Sequence, residues 1–113
     1  MSKKFEDIKI WNKAKILVLE IYKELRSCKD YSFCDQIKRA SVSIMNNVAE
    51  GYDRESDTEL KRFLVISRGS CAEVRSMLYL SMELGYIEKY KSEELIESTR
   101  EISRMLTGFI KKL

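Results

Sequence analysis

Not one proline interrupts this chain of 113 residues, and only four glycines do. Proline ends helices because it lacks an amide donor and its ring collides with the preceding turn. Glycine supplies the left-handed backbone that tight hairpins need. A chain nearly free of both has little with which to punctuate strands, so long helices are the expected outcome. Charged residues make up 35% and hydrophobic ones 44%, a mixture that suits amphipathic helices around a core and not a disordered chain. At this length one domain over residues 1–113 is expected.

Four segments carry helical periodicity. The first runs from about Asp7 to Ser27, with Trp11, Ala14, Val18, Ile21 and Leu25 on one stripe joined by Tyr22. The second, about Phe33 to Tyr52, shows Phe33, Ile37, Ala40, Ile44 and Val48. Ser32, with Asp35 three residues on, is its expected N-cap, and Gly51 its expected end. Ser56-Asp57-Thr58-Glu59 forms a capping box for the third helix, which runs to Leu84 with Gly85 just beyond. That helix spans roughly 40 Å and carries Leu60, Phe63, Leu64, Cys71, Val74, Leu78 and Ser81 on its stripe. The fourth opens at Ser92 and is lined by Leu95, Thr99, Ile102, Leu106, Phe109 and Leu113. Its other side, Glu94, Glu97, Arg100, Glu101, Arg104 and Lys111, reads as a solvated face. Short connections between long helices make neighbours antiparallel, so the expected fold is an all-α, antiparallel up-down-up-down four-helix bundle.

Several classes of function are disfavoured by what is missing. There is no histidine, and the three cysteines, Cys28, Cys34 and Cys71, have no paired metal-ligand spacing. A zinc site lacks its ligands, and nucleophile–histidine pairs have no partner. No cofactor or metal is expected, and the chain reads as a non-enzyme; carboxylate chemistry through Glu50 or Glu73 is the one route left, and nothing marks a site for it. No apolar run approaches the roughly 20 residues of a membrane span. The opening Met1-Ser2-Lys3-Lys4-Phe5-Glu6-Asp7 has no signal-peptide core. A cytoplasmic location without a membrane partner is the expectation.

Two helices have more faces than a lone bundle uses. On the second, Val42, Met45 and Ala49 lie off the core stripe, and between the two apolar sides runs a polar strip of Gln36, Arg39, Ser43, Asn46, Asn47 and Glu50. Asn and Ser are poor helix-interior residues unless their side chains are engaged. The strip therefore suits a hydrogen-bonded network, inside the bundle or between subunits, or a ligand contact. On the third helix Gly69 costs about 1 kcal/mol relative to alanine, and it shares a back side with Ile66, Leu80 and Leu84. Ile16 and Leu19 stand off the core stripe of the first helix. Monomers seldom expose large apolar patches, so self-association is expected.

The net charge of +3 is mild, so placement matters more than the total. Lys61, Arg68 and Arg75 recur every seven residues, lining one side of the third helix over about 20 Å. Arg54 stands just before that helix, and Lys38 and Arg39 are further candidates for the same surface. Such a row suits a phosphate backbone; the alternative is a solvated face paired with Glu. No helix-turn-helix, zinc finger or phosphate loop is present.

From Gln36 to Arg54, reading QIKRASVSIMNNVAEGYDR, the chain resembles the bacterial four helix bundle protein family, also called the 23S rRNA intervening-sequence protein family. Glu59, Arg62-Phe63-Leu64, Gly69-Ser70, Glu73, Leu84-Gly85-Tyr86-Ile87 and the opening Phe5 to Ala14 are similar too. Met45 stands where the family usually has proline, and the Lys29–Phe33 loop is shorter than usual. The resemblance implies an up-down bundle assembling into a ring-like homopentamer. A related branch, the accessory variability determinants of diversity-generating retroelements, forms basic pentamers that bind nucleic acid and a reverse transcriptase. The expectation is a homo-oligomer with a nucleic-acid-binding or ribonucleoprotein accessory role, through Lys38, Arg39, Arg54, Lys61, Arg68 and Arg75. Ser43, Asn46, Asn47, Glu50, Ile66, Gly69 and Glu73 are assigned to the subunit interface or polar network. The alternative is an adaptor that docks a protein, such as a nucleic-acid-processing enzyme, without touching RNA or DNA.

Overall fold

Four long helices fill residues 4–113, which the computed structural model describes, and no strand forms among them. Met1, Ser2 and Lys3, part of the opening stretch read above for a signal peptide, lie outside the described residues. A 3-10 turn at Phe5–Asp7 leads into α1 (Lys9–Glu24), α2 (Tyr31–Asp53), α3 (Asp57–Leu84) and α4 (Lys89–Lys111). Each helix packs on the next and α4 closes back on α1, whereas α1 and α3, and α2 and α4, stand diagonally opposite without close backbone approach; across the second diagonal the Tyr52 and Phe109 rings meet edge-on with centroids 6.0 Å apart. This is the square of an antiparallel up-down-up-down bundle. Its extents of 45 × 21 × 20 Å take their long dimension from α3. Among the described residues no helix is long and apolar enough to cross a membrane.

The expected stripes form the core, with Ile21, Ile37, Ile44, Leu64, Val74, Leu78, Leu95, Ile102 and Leu106 almost fully buried. Each such aliphatic side chain contributes roughly 1.5–3 kcal/mol by leaving water. The buried sectors are wider than single stripes: Ile10 and Leu17 of α1 and Ile96 of α4 are buried as well. A helix at the corner of a square meets two neighbours, so its apolar arc must exceed one row. Tyr22 departs from expectation. It is 45% exposed, with the Lys38 ammonium 4.8 Å from its ring centroid. Leu60 and Trp11 are only partly buried.

Local chemistry sets the helix ends, with two corrections to the expected caps. Ser56 Oγ accepts from the Glu59 amide at 3.3 Å. Gly85 closes α3 in the left-handed region at φ 74°, with the Tyr86 amide reaching back to Ser81 O at 3.0 Å, a Schellman-type end. Ser32 is not the cap of α2. Asp30 takes that place, accepting from the Phe33 amide at 3.1 Å, because its carboxylate is also held by the Tyr86 hydroxyl at 2.6 Å. Ser92 is not the cap of α4. That helix begins at Lys89, and Ser92 is a buried first-turn residue whose hydroxyl donates to Ile87 O at 3.3 Å, while buried Ile87 draws the preceding loop against the core. α2 stops at Asp53, near the expected end, with Gly51 inside its last turn and not beyond it. A Cβ built there meets Phe63 Cβ at 2.8 Å, so the glycine permits close approach of α2 and α3.

The Tyr86 hydrogen bond holds the Asp30 carboxyl below its ordinary value, joined by the Phe33 amide, and raises Tyr86 to about 12. A carboxylate with a depressed folded-state pKa adds stability above its unfolded pKa and loses it as pH falls through the folded one. Tyr86→Phe is therefore expected to return the Asp30 pKa towards 3.8 and to lower stability at neutral pH, with the two proteins converging in acid. An NMR titration of Asp30 with melts across pH checks this; a constant gap down to strong acid would show that the hydroxyl acts independently of charge.

Candidate functional site

Of the polar strip of α2, Ser43 and Asn47 are half-buried beside α3, while Gln36, Arg39, Asn46 and Glu50 are exposed. Ser43 Oγ and Ser70 Oγ lie 2.9 Å apart. Asn47 Nδ2 donates to Ser43 O at 2.8 Å and to Ser43 Oγ at 2.9 Å, and one turn along Ser67 Oγ donates to Ile44 O at 2.8 Å. These contacts assign Ser43 and Asn47 to a network within the bundle. Asn46 stays exposed, and Glu50 accepts from Arg54 Nη2 at 2.9 Å. The amide and hydroxyl content of the strip signalled engagement, but its partners on α3 were not readable from α2 alone.

The six candidate cations do not form one surface. Lys38 is half-buried on the α1 side of α2, over Tyr22. Arg39 is paired with Asp35 at 2.9 Å. Arg54 is paired with Glu50 and stands 5.1 Å from the Phe63 ring centroid, with Arg62 at 4.5 Å from the same ring. Lys61, Arg68 and Arg75 lie instead along the side of α3 that faces α4, and none has a carboxylate within 4.0 Å among the described residues. Arg68 Nη1 donates to the neutral Thr107 hydroxyl of α4 at 3.2 Å, which orients the guanidinium without cancelling its charge. Exposed pairs such as Arg39–Asp35 contribute little stability, but they do neutralise charge that a phosphate would otherwise meet.

The apolar leftovers are exposed. On α1 these are Ile16 (53%) and Leu19 (61%); on α3 they are Val65, Ile66, Leu80 and Leu84. Gly69 and Glu73 lie among the α3 set and are exposed. A Cβ at Gly69 meets nothing within 4 Å, so nothing inside the bundle requires glycine there. Gly69→Ala is thus expected to stabilise the isolated fold by about 1 kcal/mol through helix propensity, read from thermal melts at low protein concentration. A loss of stability there would place an unseen steric contact at this position.

Burial raises Cys34 and Cys71 to about 11, so both thiols are poor nucleophiles at neutral pH. Cys71 also donates to Thr99 O at 3.1 Å. Among the described residues no three metal-ligand side chains cluster. A cleft of about 770 Å³ lies at the end of the bundle beside Phe5, Tyr52 and Leu60 and is lined by Glu6, Asp53, Glu55 and Asp57 together with Lys4. It is predominantly acidic and borders the Lys61 end of the α3 row.

Residues 6–108 match the family described as 23S rRNA-intervening sequence protein. Among curated proteins none matches the chain. The fold is similar to the crystal structure of a protein of unknown function from the S23 ribosomal protein family of Bacteroides thetaiotaomicron. The TM-score is 0.84 at 25% identity, covering 90% of this chain and 98% of that one.

Proposed function

The chain belongs to the 23S rRNA-intervening sequence protein family, and from that premise we propose a non-enzymatic, self-associating helical bundle that binds nucleic acid along α3. The observation that carries the reading is the row Lys61, Arg68 and Arg75, three cations left uncompensated where the other candidate arginines are paired. An uncompensated row on a rigid helix attracts a polyanion and releases its counterions. Binding to a labelled RNA or DNA oligonucleotide is therefore expected to weaken steeply as salt rises; salt-insensitive binding, or none at low salt, sinks the reading.

Self-association is supported by where the apolar faces lie. α1 and α3 stand at opposite corners of the square, so Ile16 and Leu19 point away from Ile66, Gly69 and Leu80. Two different faces favour a head-to-tail contact, which closes into a ring when the rotation allows. Their charges are complementary: Lys9 and Lys23 are exposed on α1, Glu73 and Glu83 on α3. A pentamer is the ring that the resemblance implies. Native mass spectrometry is expected to show a multimer that Leu19→Glu or Gly69→Glu breaks to monomer; a native protein that is monomeric at micromolar concentration refutes this part.

A further inference from the structure

The cationic surface does not stop at α3. Lys61, Arg68, Arg75 and Tyr79 recur at whole numbers of turns and share one row. On α4, Arg100, Arg104, Thr107 and Lys111 recur at four, three and four residues and share another. Two side-chain bonds tie the rows together: Arg68 Nη1 donates to Thr107 Oγ1 at 3.2 Å, and Arg100 Nη2 donates to the Tyr79 hydroxyl at 2.7 Å. The rows therefore face each other across the α3–α4 seam, and α4, which looks solvated by itself, brings Arg100, Arg104 and Lys111 to it.

The charge along this seam is lopsided. Residues 60–82 and 100–113 hold eight Lys and Arg but only two carboxylates, Glu73 and Glu101. Glu101 is tied to Lys13 of α1, with Arg104 also close enough to favour its charged form, and Glu73 lies among the outward apolar residues of α3. Acids return only at the ends of the rows, with Asp57 before Lys61, Glu83 after Tyr79 and Glu97 before Arg100. The chain's +3 thus conceals a strongly positive strip offset by acidic residues elsewhere. From Lys61 to Tyr79 the strip is about 27 Å long.

Tyr79 indicates which nucleic acid fits. It is 43% exposed at one end of the basic strip, and Arg100 holds its hydroxyl, fixing the ring while leaving much of it open. A base within a duplex has no free face to offer such a ring, whereas an unpaired base stacks on it. We infer that the α3–α4 seam is a track for single-stranded nucleic acid, in which Lys61, Arg68, Arg75, Arg100, Arg104 and Lys111 follow the phosphates and Tyr79 stacks on a base. This rests on the nucleic-acid reading above and narrows it.

The test is fluorescence anisotropy with labelled single strands of about 12 nucleotides, within the site sizes of such grooves, as RNA and as DNA, beside duplexes of equal length. Single strands of at least one sugar type are expected to bind more tightly than their duplex. Tyr79→Ala is expected to weaken single-strand binding about five-fold or more and to leave duplex binding unchanged, while Tyr79→Phe, which keeps the ring, stays close to the native protein. Arg104→Glu with Lys111→Glu is expected to weaken binding as strongly as two reversals on α3. Duplex preference, an inert Tyr79→Ala or an inert α4 pair overturns the track while leaving nucleic-acid binding by α3 intact. No binding at low salt overturns both.

Discussion

Replacing Gly51 by valine is expected to destabilise the bundle by about 3 kcal/mol or more, the upper range for overpacking a filled core. The argument is geometric. Even a Cβ at residue 51 falls 2.8 Å from Phe63 Cβ and 3.1 Å from Leu60 Cδ1. The Phe63 Cβ is anchored to the α3 backbone, so it cannot swing aside as the tip of a flexible chain would, and α2 and α3 must separate. The same strip of interface holds the Ser67–Ile44 and Ser43–Ser70 contacts, which a separation would stretch. Domains of this kind are stable by only about 5–15 kcal/mol, so valine removes a large part of the margin. Alanine costs less, because its helix propensity gives back about 1 kcal/mol. Urea melts of the native protein, Gly51→Ala and Gly51→Val measure the series. A valine variant as stable as the native protein would mean that the two helices do not approach as described.

The second large effect concerns binding. Lys61→Glu, Arg68→Glu and Arg75→Glu together are expected to lower affinity for a single-stranded oligonucleotide about a hundredfold or more at low salt. They should also flatten the slope of log K against log salt by about 2, since each phosphate contact contributes roughly 0.7 for single strands. The fold is expected to survive, because none of the three side chains makes an ion pair among the described residues and the bond that Arg68 gives up there is to the Thr107 hydroxyl; circular dichroism checks this. Arg39→Glu serves as the comparison. Its charge is already balanced by Asp35, so it is expected to weaken binding much less. Equal losses from Arg39→Glu and from any single replacement on α3 would dissolve the distinction between paired and uncompensated cations.

One buried group carries a smaller prediction. Ser81 Oγ is buried without a hydrogen-bond partner among the described residues, and an unsatisfied hydroxyl is costly. Ser81→Ala is therefore expected to be neutral or stabilising by about 1 kcal/mol, in contrast to Ser67→Ala, which gives up a bond between α2 and α3. Thermal melts of the two variants distinguish them, and a clear loss from Ser81→Ala would mean that the hydroxyl has a partner.

Much of the fold was legible because helices are local. The 3.6-residue period placed Ala14, Ile21, Ile37, Ile44, Leu64, Leu78 and Leu106 in the core, where the structure has them. The chemistry of Ser56 and of Gly85 marked the two ends of α3. Caps failed where they depended on distant residues: Asp30 displaced Ser32 because Tyr86, far along the chain, holds its carboxylate. Gly51 reads in sequence as a helix end and Gly69 as a site of close approach on the back of α3. One meets Phe63 and the other meets nothing, a difference set by the neighbouring helix.

The candidate site divides in the same way. That Lys61, Arg68 and Arg75 share a row follows from their spacing alone, since seven residues are nearly two turns. That Arg39 and Arg54 are balanced by carboxylates one turn away was available in the i, i+4 spacing as well. The rotation of α4 about its own axis was not. Its cations alternate with glutamates in sequence, and only packing against α3 brings Arg100 to Tyr79 and Thr107 to Arg68 while Glu101 turns to Lys13 of α1. By itself, then, the sequence determined the helices, their order, their core faces and the α3 row, all properties of short-range periodicity and capping. The tertiary structure decided which faces meet, which charges cancel and where the basic strip widens, because those depend on how helices distant in the chain turn towards one another.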